Sequence, residues 1–422
     1  MAYELLIGLR YLRAKRKSTF ISIITFISTA GVALGVMALI VVLAVMTGFE
    51  EDLTDKILGT NAHVVVMTPS GAIDDYQAVM GKMKSVPGVV AATPFIYSQV
   101  MLSNGPNVSG VVLRGIETES DVQVTNLSKS IVEGKLTGLD SESSGSTESP
   151  AMPGIIIGKE LAKNLNIFVG DTLNVVSPLG NITPFGMVPK MKKFRIAGLF
   201  NTGMFEYDST LAYVGLRQAQ DFLGLDKTVT GIQLKVKDVY QADKVAKTIN
   251  QGFGYEFFAR DWMQMNKNIL FALKTEKMVM FIILTLIVLV AAFGIASTLF
   301  MVVMEKTKDI AILKSMGATG ASIMKIFVLE GLIIGVAGTV VGVLSGLLIA
   351  HNLEFIVDLV KTLTGFELFS RDVYYLDHFP SQVVPRDVLL ISVTAIFISF
   401  VATLYPSWQG SRLPPAEALR YE

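Results

Sequence analysis

Four long stretches of this sequence carry almost no charge, and that feature limits the chain to membrane architectures. Phe20 to Thr47 and Met278 to Met304 contain no Asp, Glu, Lys or Arg, and Ile326 to Ile349 contains only Glu330. Val388 to Leu404 contains none and extends toward Tyr405 and Trp408, which suit an interface belt. About 20 apolar residues suffice to cross the hydrocarbon core, and apolar runs in soluble helices are usually nearer 10–14 residues. Four spans are therefore expected. Charged residues make up 17% of the chain, against about 25% in soluble proteins, and the deficit lies in these runs. Arg13-Ala-Lys-Arg-Lys17 resembles a signal-peptide n-region, but the run after it exceeds an h-region of about 7–15 residues and no Ala-x-Ala site follows. An uncleaved anchor is expected.

Positive charge next to short loops sets orientation. The first run is preceded by Arg10, Arg13, Lys15, Arg16 and Lys17; the loop after the second holds Lys306, Lys308 and Lys314; the tail holds Arg412 and Arg420. The connection 351–387 is dominated by Glu354, Asp358, Glu367, Asp372, Asp377 and Asp387. Both termini and the 305–322 loop are thus expected in the cytoplasm. The expected map is an amphipathic cytoplasmic helix at 1–19, spans at 20–47, 277–304, 323–350 and 388–408, an exported domain at 48–273, a cytoplasmic helix at 305–322, an external loop at 351–387 and a tail at 409–422.

The exported segment has an ordinary soluble composition and alternates short β-branched runs with turn residues. Strands are expected at 62–67, 110–115, 154–158, 171–176, 193–198 and 231–236, with helices at 75–84, 159–165, 216–222 and 239–251. That is an α+β pattern. Residues 140–150 (DSESSGSTESP) lack periodicity and read as a surface loop. The tract 177–190 holds Pro178, Pro184 and Pro189 with Gly180 and Gly186, a composition that argues against a regular ladder, yet it carries Leu179, Ile182, Phe185, Met187 and Val188. With a strand expected on each side it reads as a long hairpin tip with exposed apolar side chains, either folded back on its own domain or a docking loop.

Several chemistries have no residues to carry them. There is no cysteine, the three histidines (His63, His351, His378) are scattered, and net charge is zero, which gives no reason to expect a nucleic-acid partner. Gly-x-x-x-x-Gly-Lys-[Ser/Thr], Gly-x-Ser-x-Gly and His-Glu-x-x-His are all missing. Only Glu330 lies near a span, either pairing with Lys325 or acting in coupling, whereas ion-coupled pumps keep several intramembrane acids. Two features suit transmitted motion instead. Gly331, Gly335, Gly338, Gly342 and Gly346 give the third run a small-residue face, as Gly31 and Gly35 do the first. Ile310, Leu313 and Met316 form an apolar stripe on a short mixed-charge helix, which either lies on the membrane or enters a groove on a soluble partner.

Gly8-Leu-Arg-Tyr-Leu-Arg13, Gly35-Val-Met-Ala-Leu39, Met46-Thr-Gly-Phe-Glu-Glu-Asp-Leu53, Met304-Glu-Lys through Gly317, and the ending Leu404-Tyr-Pro-Ser-Trp408 with Pro415-Ala-Glu-Ala-Leu-Arg-Tyr-Glu422 resemble the lipoprotein-releasing ABC transporter permeases of the LolC/LolE type. The resemblance runs end to end and fits the wider mechanotransmission class. It implies four transmembrane α-helices with a large α+β periplasmic domain inserted between the first and second spans. It implies a non-enzymatic subunit in the bacterial inner membrane, paired with a paralogous or identical permease and two copies of a cytoplasmic ATPase that binds the ATP and Mg. No cofactor or metal is expected in this chain. The implied task is extraction of acylated lipoproteins from the outer leaflet for a periplasmic carrier. Glu305, Lys306, Asp309, Ile310, Leu313, Met316 and Gly317 match the ATPase-coupling helix. Pro178, Thr183, Pro184, Phe185, Gly186, Met187, Val188, Pro189 and Lys192 match the carrier-binding hook of the LolC side. Met46, Phe49, Met278, Phe281 and Phe293 are the expected acyl-chain path. The competing implications are drug or peptide export, and regulation of a periplasmic hydrolase.

Overall fold

The computed structural model of the chain describes residues 19–140, 152–183, 186–365 and 380–414. The expected N-terminal amphipathic helix, nearly all of the acidic Ser-rich tract, Pro184 and Phe185 lie outside the described residues, as do 366–379 and the tail from 415. The chain divides into two compact units, one built on residues 53–270 and the other on 1–52, 271–370 and 377–422.

Among the described residues, four helices, all lying mainly in the second of these, are long and apolar enough to cross a membrane: α1 (Thr19–Thr60), α10 (Lys267–Glu305), α12 (Gly320–His351) and α14 (Pro385–Ser411). Each contains one of the four apolar runs. All are longer than their runs; α1 continues to Thr60, well past the last residue of its charge-free stretch. Two shorter helices join them, α11 (Thr307–Ser315) and α13 (Leu353–Thr364). The second corrects the sequence reading, in which 351–387 is a plain loop. Val32, Val36, Leu39, Ile40 and Leu43 of α1 pack with Leu284, Val288, Ile295 and Leu299 of α10, Ile334 of α12, and Ile391 and Ala395 of α14.

In the 53–270 unit the chain forms β1 (Val64–Met67), α2 (Tyr76–Lys84), β2 (Val89–Asn104), β3 (Asn107–Ile116), α3 (Thr118–Val124), α4 (Leu127–Ser130) and β4 (Ile131–Gly134). Then come β5 (Gly154–Gly158), α5 (Lys159–Leu165), β6 (Thr172–Thr183), β7 (Gly186–Phe200), α6 (Phe205–Thr210), β8 (Leu211–Gly215) and α7 (Leu216–Leu223). It closes with β9 (Gly231–Val236), α8 (Ala242–Gly252), β10 (Phe258–Asp261) and α9 (Trp262–Met265). All ten strands join one sheet in the order β10-β1-β9-β2-β3-β8-β5-β7-β4, with β6 on β2 and β7. Pairing is antiparallel except β3–β8 and β5–β7. The six expected strands are present; β2, β4, β8 and β10 are additional. The core joins Val64, Ile96, Leu113, Ile155, Phe194 and Leu234 of the sheet to Leu161, Phe222 and Ile249 of the helices. Gly115 marks a close helix–sheet approach: a Cβ there would lie 2.5 Å from the Ala219 Cβ of α7.

In the proline-rich tract the expected long hairpin is present, but its ladder is more regular than the composition suggests. β6 and β7 stay paired through it, with Ser177 opposite Lys190, then Asn181 opposite Val188 and Thr183 opposite Gly186. The ladder shifts only between Ser177 and Asn181, so three residues face Pro189 alone. Pro178 and Pro189 therefore both sit at the break, where a missing N–H costs no rung. Prolines here localise an irregularity in a long hairpin rather than abolish the ladder.

Candidate functional site

One candidate region is the end of the span bundle where α1 passes Thr47. Lys277 Nζ donates to Thr47 Oγ1 at 2.9 Å and lies 3.3 Å from an Asp387 carboxylate oxygen, so one ammonium ties α1, α10 and α14 together. The Gln382 N–H donates to the Ala44 carbonyl at 2.9 Å, and Ser381 Oγ to the Ala350 carbonyl at 2.9 Å. The backbone of Pro380 and Ser381 crosses α1 at Gly48, where a Cβ would come within 2.7 Å of it. The Met46-Thr-Gly-Phe49 motif thus has a local reason: a hydroxyl for Lys277, then no side chain under the crossing segment. Of the expected path residues, Met278 and Phe293 are exposed, Met46 and Phe49 are half-buried, and Phe281 packs against the bundle core. The five therefore do not form one continuous exposed strip.

The second region is α11. Its C-terminus is closed by Gly317 at φ 99°, a backbone that favours glycine, and the Ala318 N–H bonds back to Leu313. Lys314 Nζ donates to the carbonyls of Ser411 (2.6 Å) and Leu413 (2.8 Å), placing a cation on the carbonyl end of α14. Lys306 and Asp309 pair at 3.5 Å. The predicted stripe divides: Ile310 is only 1% exposed and Leu313 packs with it against Val302, Ile323 and Phe327, whereas Met316 is 81% exposed. The stripe does not act as one face because α11 uses part of it to hold onto its own bundle. The outward side carries Lys308, Ile312 and Met316 at a spacing of four, and Met304 and Glu305 at the end of α10 are also exposed.

The glycines of α12 serve two neighbours. A Cβ at Gly331 or Gly335 would strike Thr403 or Ser399 of α14, at 2.3 and 2.5 Å. At Gly338, Gly342 and Gly346 it would meet Val32, Val36 and Ile40 of α1, at 2.9, 2.8 and 3.0 Å. Gly31 and Gly35 of α1 turn instead toward Ala291 and Val288 of α10. Five glycines thus give two close seams rather than one. Polar groups inside the bundle include Ser28 and Thr298, bonded at 2.7 Å, and the buried Glu330, whose Oε2 has no hydrogen-bond partner. Lys325, the expected partner, is exposed, and among the described residues no ion pair joins it to Glu330.

The third region is the β6–β7 hairpin. Pro178, Pro189 and Met191 are exposed, while the Lys192 ammonium reaches Gln218 at 3.3 Å and lies over the Phe194 ring. Lys192 is thereby tied to the domain at the hairpin base. The side chains of Thr183, Pro184, Phe185, Gly186, Met187 and Val188 lie outside the described residues.

Elsewhere in the same unit, the polar side chains are structural in placement. Asp121 accepts from Thr125 Oγ1 at 2.6 Å, and burial raises its pKa against that bond and the nearby Arg114. Asp208 is fully buried, accepts from the N–H and hydroxyl of Thr202 at 2.8 and 2.9 Å, and is likewise raised by burial. Among the described residues no three His, Asp or Glu side chains converge to hold a metal ion. Sequence reasoning missed Lys277, Asp387 and Lys314 as tethers. A signal was present: the first two flank apolar runs that end on the same side of the expected membrane.

Comparison with known proteins follows the same division. The MacB-like periplasmic core domain family matches residues 25–251, and the FtsX-like permease C-terminal family matches residues 281–415. The chain is 40% identical over 420 residues to the lipoprotein-releasing system transmembrane protein LolC of Neisseria meningitidis serogroup B, covering 99% of both chains. It is 38% identical to LolC of Xylella fastidiosa (strain Temecula1), covering 99% of this chain and 98% of that one. It is 29% identical to LolE of Haemophilus influenzae, covering 98% of each. With relatives matched from end to end, the chain belongs to the LolC/LolE family of lipoprotein-releasing system transmembrane proteins.

Proposed function

We propose that the protein is a permease subunit of an ATP-driven complex that lifts acylated lipoproteins out of the outer leaflet of the inner membrane and passes them to a periplasmic carrier. The observation that carries this is the 40% identity, over 99% of both chains, to a lipoprotein-releasing protein. The relatives at 38–40% bear the LolC name, which supports the LolC side of the family. In this reading both termini and α11 are cytoplasmic, and the sheet domain, inserted between the first and second spans, is periplasmic. The basic flank at 10–17 and the lysines at 306, 308 and 314 support that orientation.

The chain itself then hydrolyses nothing. Two copies of a cytoplasmic ATPase bind ATP and Mg, and the permease pairs with a paralogous or identical second subunit. The exposed Met304, Ile312 and Met316, with Glu305 and Lys308, suit insertion into a groove on the ATPase. Because Lys314 bonds to the end of α14 and Ile310 sits in the bundle, a push on α11 reaches the spans without a flexible joint. Acyl chains would pass beside Met278 and Phe293, near Met46 and Phe49, and the hairpin around Phe185 and Met187 would hold the carrier.

The test is photocrosslinking from Phe185 or Met187 in cells, followed by identification of what is captured. A lipid-carrier protein is the expected product. Capture of an outer-membrane channel or of a hydrolase, with no carrier, overturns the reading in favour of export or of hydrolase regulation.

A further inference from the structure

Among the described residues, the helix α13, which no sequence signal anticipated, leaves an apolar row exposed. Phe355 and Leu363 are 68% and 76% exposed, and Leu359 lies between them at the same spacing of four. Ile356 and Val360 flank this row on one side and Thr362 borders it on the other, with Asp358 beyond Thr362 and Glu354 and Lys361 across the helix. A soluble loop helix would turn such a row inward.

We infer that α13 lies in the plane of the bilayer surface with Phe355, Leu359 and Leu363 inserted among the acyl chains. The occupant follows from continuity: Asn352 is both the C-cap of α12 and the N-cap of α13, so no linker separates the helix from the end of a span. A helix of 12 residues starting there stays within about 18 Å of the point where the chain leaves the hydrocarbon core. One row of three side chains is also far short of the roughly 800 Å² per partner that a standard protein interface buries. Lipid needs no such area, because each inserted side chain leaves water independently. The polar face carries two acids and one lysine, so insertion does not depend on anionic headgroups. On the topology proposed for the transporter, this leaflet is the outer one, and α13 is an amphipathic wedge in the leaflet that holds the acylated cargo.

The chain has no cysteine, so single-cysteine spin labels report single sites. The experiment uses the assembled complex, with its ATPase freed of reactive cysteines, in nanodiscs of phosphatidylethanolamine and phosphatidylglycerol without lipoprotein. Labels go in turn at Glu354, Phe355, Asp358, Leu359, Lys361 and Leu363, with Leu344 of α12 as the in-span reference. Collision with oxygen relative to collision with a water-soluble nickel chelate is expected to be several-fold higher at 355, 359 and 363 than at 354, 358 and 361. High nickel access at all six sites overturns the inference, since the face is then in water. Low access to both probes at 355, 359 and 363 also overturns it, since the face is then covered by protein. If Leu344 fails to report lipid, the span reading itself has failed and the inference falls with it. If Leu344 reports lipid and α13 does not, only the inference falls.

Discussion

Moving a single methyl group across the α12–α14 seam tests how closely the two helices are packed. A Cβ added at Gly335 would lie 2.5 Å from Ser399 Cβ and 2.8 Å from its Oγ, but 3.9 Å from its Cα. Carbon atoms sit at optimal separation near 3.5–4.0 Å, so the helices must part by about 1 Å to admit Gly335→Ala. Overpacking of this kind costs about 1–3 kcal/mol. Ser399→Gly alone removes a buried hydroxyl that has no hydrogen-bond partner, and its helix-propensity cost is about 0.5 kcal/mol. In the combined variant the Cβ has changed sides, and the nearest atom of residue 399 is the Cα, at ordinary contact distance. The double variant should therefore be more stable than the sum of the singles by about 1–3 kcal/mol. The assay is denaturant titration of the purified permease in mixed micelles, wild type against both singles and the double. Additive losses, or a neutral Gly335→Ala, would refute the reasoning. Gly342→Ala supplies the contrast: its Cβ would meet the Ala33 carbonyl oxygen at 2.6 Å, and no side-chain deletion removes a backbone atom. Val36→Ala should fail to rescue it.

The division of α11 predicts that Ile312→Asp and Met316→Asp abolish co-purification of the ATPase while the permease keeps its melting profile; Ile310→Asp should instead destabilise the bundle by about 2–5 kcal/mol. His63 is held below the usual histidine pKa by burial and by Lys235, and its Nδ1 accepts the Val236 N–H at 3.2 Å. The unfolded chain then binds the proton first, so the contribution of His63 is fully present above about pH 6.5 and is lost as pH falls through the lowered folded value. Thermal melts from neutral to mildly acidic pH should decline, and His63→Gln should flatten that dependence. Lys277→Met should lower stability by about 1 kcal/mol, since both partners of its ion pair are partly solvent-exposed. The loss should shrink in high salt, and a salt-independent loss would point to the Thr47 bond instead.

The spans were legible because hydrophobic length is a property of consecutive residues. The runs at Phe20–Thr47 and Met278–Met304 needed no knowledge of neighbours. Strands with their own β-branched run, such as Gly154–Gly158, were legible for the same reason. β2 was not: its 16 residues include Pro94 and several polar side chains, and it is held by partners on both sides at β3 and β9. The apolar spacing of Ile310 and Met316 was readable, but not which residue turns inward, because that depends on Val302 and Phe327 from other helices. Lys277, Asp387 and Thr47 lie far apart in sequence, and only the fold brings them to one point. α13 was hidden by the acids around it, which set orientation but mask a clean amphipathic arc.

The break in the β6–β7 ladder has a consequence for life in a crowded compartment. Beyond Ser177 and Lys190, among the described residues, the two strands pair only with each other. A two-stranded ribbon of that kind offers two open edges to any extended chain it meets. Pro178 and Pro189 remove one donor from each strand at the same level, where the register shifts. A foreign strand that begins to add along either edge meets a gap in the N–H row and a shift of register within a few residues. Paired there only with itself, the hairpin can thus still resist templating aggregates.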